Sequence, residues 1–117
     1  MAVGRLLPEV AGEKPGRLFG MYEVAGPSSY PSGGFEVVVE DVKSLENFIV
    51  KVTPNPTQLR EDDNYVYSIS WSVTGNKVKI VIKRADVTAS PASYSEPTGV
   101  DFSGVKFIIE FVEKWGD

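Results

Sequence analysis

The feature that most constrains the fold is a run of strict alternation in the second half of the chain. Between residues 65 and 73, Tyr65, Tyr67, Ile69, Trp71 and Val73 fall on one side of an extended backbone, and Val66, Ser68, Ser70 and Ser72 fall on the other. After Thr74-Gly75-Asn76 the alternation resumes, with Val78, Ile80 and Ile82 on one side and Lys77, Lys79 and Lys83 on the other. A period of two is that of a half-buried β-strand, and two such runs across a Gly-Asn step read as a hairpin. Gly75 or Asn76 can supply the positive φ that a tight turn needs. Such a hairpin has one apolar face and one wetted face, so other elements must cover the apolar one.

The remaining segments supply further short strands. Leu18 to Ala25 predicts a first strand, and the Pro/Gly/Ser-rich stretch 26–34 a loop. Phe35 to Glu40 alternates, with Phe35, Val37 and Val39 on one face. Asp41 to Glu46 has room for a single helical turn. Phe48, Val50 and Val52 give a third strand, which Thr53-Pro54-Asn55-Pro56 should end, because proline cannot donate to a ladder. Residues 85–104 read as a long loop or one holding a short strand of its own. Val105, Phe107, Ile109 and Phe111 make the last strand. Ile108 and Val112 render its second face apolar, which predicts a strand that is central or covered on both sides.

No stretch keeps helical periodicity over three turns. Six or seven short strands joined by turns predict an all-β, single-domain antiparallel β-sandwich or jelly-roll-like fold. The lysine row of 77–83 reads as protection of a sheet edge. Residues 1–17 are broken by Gly4, Pro8, Gly12, Pro15 and Gly16, and read as an extended N-terminal arm ahead of a sandwich domain over 18–117. The arm is either a frayed terminus or a segment that orders against a neighbouring subunit through Leu6, Leu7 and Val10.

Composition narrows the chemistry. At 117 residues the chain is one domain, and 12 Lys plus Arg against 16 Asp plus Glu leave a net charge of −4, which argues against a nucleic-acid partner. Cys and His both number 0, so disulfides, thiolate metal sites, a cysteine nucleophile and the commonest general base are all excluded. The acidic run Glu61-Asp62-Asp63-Asn64 lacks the ligand spacing and central glycine of a calcium loop, and reads as a solvated turn. Asp86, Glu96 and Asp101 lie in or beside the long loop, with nothing in the sequence to pair them across a sugar. The serines have no histidine base, and Gly75-Asn76-Lys77 lacks the glycine-rich run of a phosphate loop. We therefore expect no catalysis, no cofactor and no metal. The apolar runs are too short for a membrane span, and no apolar segment precedes the first charges, which predicts no secretory signal.

Tyr22, Tyr30, Tyr94 and Trp115 are the aromatics least required by a core. Rings displayed on a β-sandwich can stack on sugars, as in a carbohydrate-binding module, or anchor a protein interface; core packing and loop pinning are the plain alternative.

Three stretches carry a resemblance. Ser28-Ser29-Tyr30-Pro31-Ser32-Gly33-Gly34 follows the first strand, Trp71 to Ile80 spans the Gly-Asn-Lys hairpin, and Gly99-Val100-Asp101-Phe102-Ser103-Gly104-Val105-Lys106-Phe107 leads into the last strand. In this order they resemble small virion structural proteins of tailed bacteriophages and related viruses. The similarity covers about residues 20–112 and leaves out the arm and Glu113 to Asp117. It implies a capsid-decorating or minor head protein of the virion, synthesised in the host cytoplasm. Such a protein would associate with itself, for instance as a trimer, and bind a major capsid or other virion protein. The interface residues expected are Leu6, Leu7 and Val10 of the arm with Tyr30, Tyr94 and Trp115. Few Asn, Gln and Met beside many Lys and Glu would suit a thermostable protein.

Overall fold

The computed structural model describes residues 2–3, 5–6, 12–14, 17–59 and 64–114, with side chains from Phe19 onward. Among them there is no helix. The strands are β1 (Ala2–Val3), β2 (Arg5–Leu6), β3 (Gly12–Lys14), β4 (Arg17–Ala25), β5 (Phe35–Val38), β6 (Phe48–Pro54), β7 (Tyr65–Thr74), β8 (Lys77–Asp86), β9 (Tyr94–Ser95) and β10 (Lys106–Glu113). They form two packed sheets, a β-sandwich. One has the order β1-β5-β8-β7, with β9 also on β8; the other has the order β2-β4-β10-β6, with β3 also on β4. All pairings are antiparallel except β1 with β5.

The β7–β8 hairpin is the one its alternation predicts, in continuous register from Tyr65 opposite Asp86 to Thr74 opposite Lys77. Gly75 has φ +60° and no non-glycine among the described residues, Asn76 included, has positive φ, so only the first central position is left-handed, the pattern of a type II′ turn. Val78, Ile80 and Ile82 are fully buried, whereas Lys77, Lys79 and Lys83 are exposed. They meet Phe107, Ile109 and Phe111 of β10, with Tyr22 and Val24 of β4 and Phe35 and Val37 of β5, in one core. β10 lies between β4 and β6, as its two apolar faces predict.

Two expectations are corrected. The lysine row does not guard an edge: β8 is an interior strand, flanked by β7 on one side and by β5 and β9 on the other. Periodicity reveals which face a residue occupies but not which strand lies beside it. Asp41 to Glu46 forms turns rather than a helical turn. There Leu45 plugs the end of the core at 1% exposure, and its N–H donates to the Gly75 carbonyl, so the backbone partner that a helix would supply comes from the hairpin tip. β6 ends at Pro54, opposite Phe107 on an edge strand, as the Thr53-Pro54-Asn55-Pro56 run predicts. Within 1–17, the described pieces are strands of the chain's own sheets: β1 on β5, and β2 and β3 on β4.

The loop 26–34 turns sharply into β5 at Gly34, where φ is +101° and a Cβ would lie 2.4 Å from the Ile80 carbonyl oxygen. Both strain and collision exclude a side chain there. Gly75 also has positive φ, but nothing lies within 4 Å of its Cβ position. Gly34→Ala should therefore cost about 2–4 kcal/mol, against about 1 kcal/mol for Gly75→Ala, as read by urea unfolding of each variant.

Candidate interaction surface

The residues that carry the resemblance meet in space. The loop 26–34 and the segment 96–105 are zipped by backbone bonds. Tyr30 N–H donates to the Val100 carbonyl at 2.8 Å, Gly99 N–H to the Tyr30 carbonyl at 2.8 Å, Phe102 N–H to the Pro27 carbonyl at 2.8 Å and Gly26 N–H to the Val105 carbonyl at 2.9 Å. Tyr30 ties this zipper to the sheet. Its hydroxyl accepts from the Ile82 N–H of β8 at 2.9 Å and donates to Glu96 Oε1 at 2.9 Å, and the same oxygen accepts from Gly33 N–H at 3.0 Å. Around the ring, Phe35 and Phe102 pack edge-on at centroid distances of 6.4 and 6.0 Å. Edge-to-face contacts of this kind add to the stabilisation from burial.

Tyr30 is 1% exposed, and so is Tyr22. Neither ring is presented to a partner or a sugar, which corrects the expectation that Tyr30 is an interface residue. Each hydroxyl enters the core with partners of its own, as a buried polar group must. The Tyr22 hydroxyl donates to the Asp41 carboxylate and accepts from the Asp41 N–H at 3.2 Å. Burial is the main cause that pushes both tyrosines up to about 12, with the neighbouring carboxylates Asp41 and Glu96 acting in the same direction.

The carboxylates considered for catalysis are turn anchors. Asp86 accepts from the N–H and hydroxyl of Thr88, and Asp101 accepts from Ser103 N–H at 2.8 Å; these bonds hold both carboxyls below the usual aspartate range. Glu96 is occupied by Tyr30 and Gly33. Among the described residues no three acidic side chains gather as metal ligands, and no helix is long and apolar enough to cross a membrane. Residues 61–63 of the acidic run lie outside the described residues, as do Leu7, Val10 and Trp115; Leu6 is placed only as backbone in β2.

Tyr94 is displayed, at 53% exposure. It lies opposite Ala85, which in turn lies opposite Val66, so the three form one row across the outer face of the β8 sheet. Val66 is 45% exposed. Beside this row runs a polar field, in which Ser68 faces Lys83, Ser72 faces Lys79, and Glu36 lies on the other side of Lys79. The sheet ends at β7, whose Trp71 turns in beneath the edge and donates its indole N–H to the Val50 carbonyl of β6 at 3.0 Å. Sequence reasoning placed Trp71 on the core side. It did not place Trp71 at the seam between the two sheets, because nothing in 65–73 announces which strands lie beside β7.

Comparison with known proteins finds no matching family model, no similar curated protein and no similar solved structure.

Tyr30→Phe leaves the Ile82 N–H buried without its acceptor and should cost about 1–3 kcal/mol in chemical unfolding. The tyrosines also set an alkaline limit. An unfolded tyrosine ionises near 10 and the two buried ones near 12, so their contribution is complete below pH 10 and is lost as pH rises through 12. The unfolding midpoint should fall across that window, less steeply in Tyr30→Phe than in the native chain.

Proposed function

We propose that this protein is a non-enzymatic structural component of a virion, a capsid-decorating or minor head protein that associates with itself and binds a shell protein. The observation that carries the reading is the zipper between 26–34 and 96–105. The two loop motifs that resemble phage structural proteins are partners in one device, with Tyr30 as its pin. Two further features support it. The carboxylates Asp86, Glu96 and Asp101 of the long loops are spent on anchoring those loops. The sandwich also leaves an exposed, serine- and lysine-bearing face available for contact with an acidic or polar partner surface.

A sugar-binding module is the weaker reading. Of the four rings that could have formed its platform, Tyr22 and Tyr30 are core residues, Tyr94 is displayed, and Trp115 lies outside the described residues. Sugar platforms are built from several rings.

Immunogold labelling of particles released from cells that carry the gene tests the proposal. Label at regular positions on particle heads is the expected result. Label confined to soluble material, with none on purified particles, would overturn it.

A further inference from the structure

The outer face of the β5–β8–β7 sheet carries the opposite charge to the chain as a whole. Lys77, Lys79 and Lys83 stand on that face of β8, and all three are exposed. Among the described strand residues of the face, Glu36 is the one carboxylate, and it lies opposite Lys79. The face is therefore net positive on a chain of net charge −4. Ser68, Ser72 and Thr74 of β7 lie opposite the lysines and are exposed, so the strip is lined with hydroxyl and ammonium donors. At one end of β8 the chemistry changes. Tyr94 and Val66, 53% and 45% exposed, flank Ala85 and make an apolar terminus to the strip.

Charge and size select the occupant. The 10 residues of β8 run about 34 Å, and three strands make the strip about 12 Å wide. In projection that is roughly 400 Å², half of what each partner of a stable rigid interface contributes. A second copy of the chain is a poor occupant, since a two-fold contact through this face would bring two positive surfaces together. Nucleic acid is poorly served as well: its affinity comes from many neutralised phosphates, and here an acidic chain stands behind three lysines. An extended acidic segment of about ten residues fits the length, the sign of the charge and the donors.

We propose that this face docks an extended acidic segment of the partner protein, laid along β8 with carboxylates on Lys77, Lys79 and Lys83 and an apolar side chain on Tyr94 and Val66. This rests on, and deepens, the reading that the protein binds a shell protein: it names the face used and the chemistry of the segment bound. The lysines set a pattern. Lys77 and Lys79 are about 7 Å apart along the strand, and Lys83 lies about 13 Å further on, with Ala85 about 7 Å beyond it. An extended segment has the same rise per residue, so it matches when its first, third and seventh residues are acidic and its ninth is apolar. The lysines draw the segment in through their summed field, and the Tyr94 ring, with few rotors to freeze, anchors its end.

The probe is a synthetic peptide of that pattern, ESETSTESF, titrated into the isotope-labelled native protein and followed by NMR. The amide signals of Ser68, Ser72, Lys79, Lys83, Ala85 and Tyr94 should shift together. The dissociation constant should rise at least about tenfold in the double variant Lys79→Glu/Lys83→Glu and at least about threefold in Tyr94→Ala. Glu36→Gln removes the carboxylate of the face and should tighten binding, a change that damage to the fold would not produce. Shifts confined to other faces would overturn the proposal, as would binding indifferent to the lysine reversals or to Tyr94→Ala, or equal binding of the peptide KSKTSTKSF. Tighter binding of a nine-nucleotide thymidine strand would overturn it in favour of a nucleic acid. The titration contains no particles, so its failure leaves any label on particle heads in place, and unlabelled heads would leave the titration unchanged; the docking proposal and the virion reading fail separately.

Discussion

The Tyr30 hydroxyl is the contact on which the rest of the structure depends. A buried phenol is tolerable only if its oxygen is fully used, and here it accepts from the Ile82 N–H and donates its O–H to Glu96. Ile82 is fully buried in β8, an interior strand of its sheet, and Glu96 belongs to the long loop that follows β9. One side chain therefore makes a sheet, the 26–34 loop and the 96–105 segment into a single body. The close approach at Gly34 and the packing of Phe102 follow from that arrangement.

This arrangement bears on function through rigidity. A protein that decorates a particle must present its contact loops in one conformation, because ordering them on binding would subtract from affinity. Asp86 and Asp101 are used in the same way, each folding the chain back on a nearby Ser or Thr. Loops fixed by their own polar side chains beside a serine- and lysine-bearing outer face are what the proposed reading requires.

The sheets themselves were legible in the sequence. The alternation in 65–83, in 35–39 and in 105–111 placed the buried residues on the correct faces, and the two apolar sides of 105–112 correctly made that strand central. Neighbour relations were not legible. The lysines of β8 read as edge protection, yet their strand is interior, since periodicity carries no information about what lies laterally. Tyr30 read either as a displayed ring or as a core or loop-pinning one, because its surroundings, Ser, Pro and Gly, are those of a surface loop; it is the pin. Its burial depends on Ile82, Glu96, Phe35 and Phe102, residues far away in sequence for which no local pattern codes. The same holds for Leu45, whose place in the core is fixed by the hairpin tip rather than by a helix of its own.

Residue-resolved amide exchange of the native protein tests the central claim, that the two loops are part of the core rather than attached to it. The amides of Tyr30, Ile82, Gly99, Val100 and Phe102 should exchange together, at the slow rate of global unfolding. Loop amides that exchange orders of magnitude faster than those of β8 and β10 would contradict it, and would show that the Tyr30 contact decorates the fold without governing it.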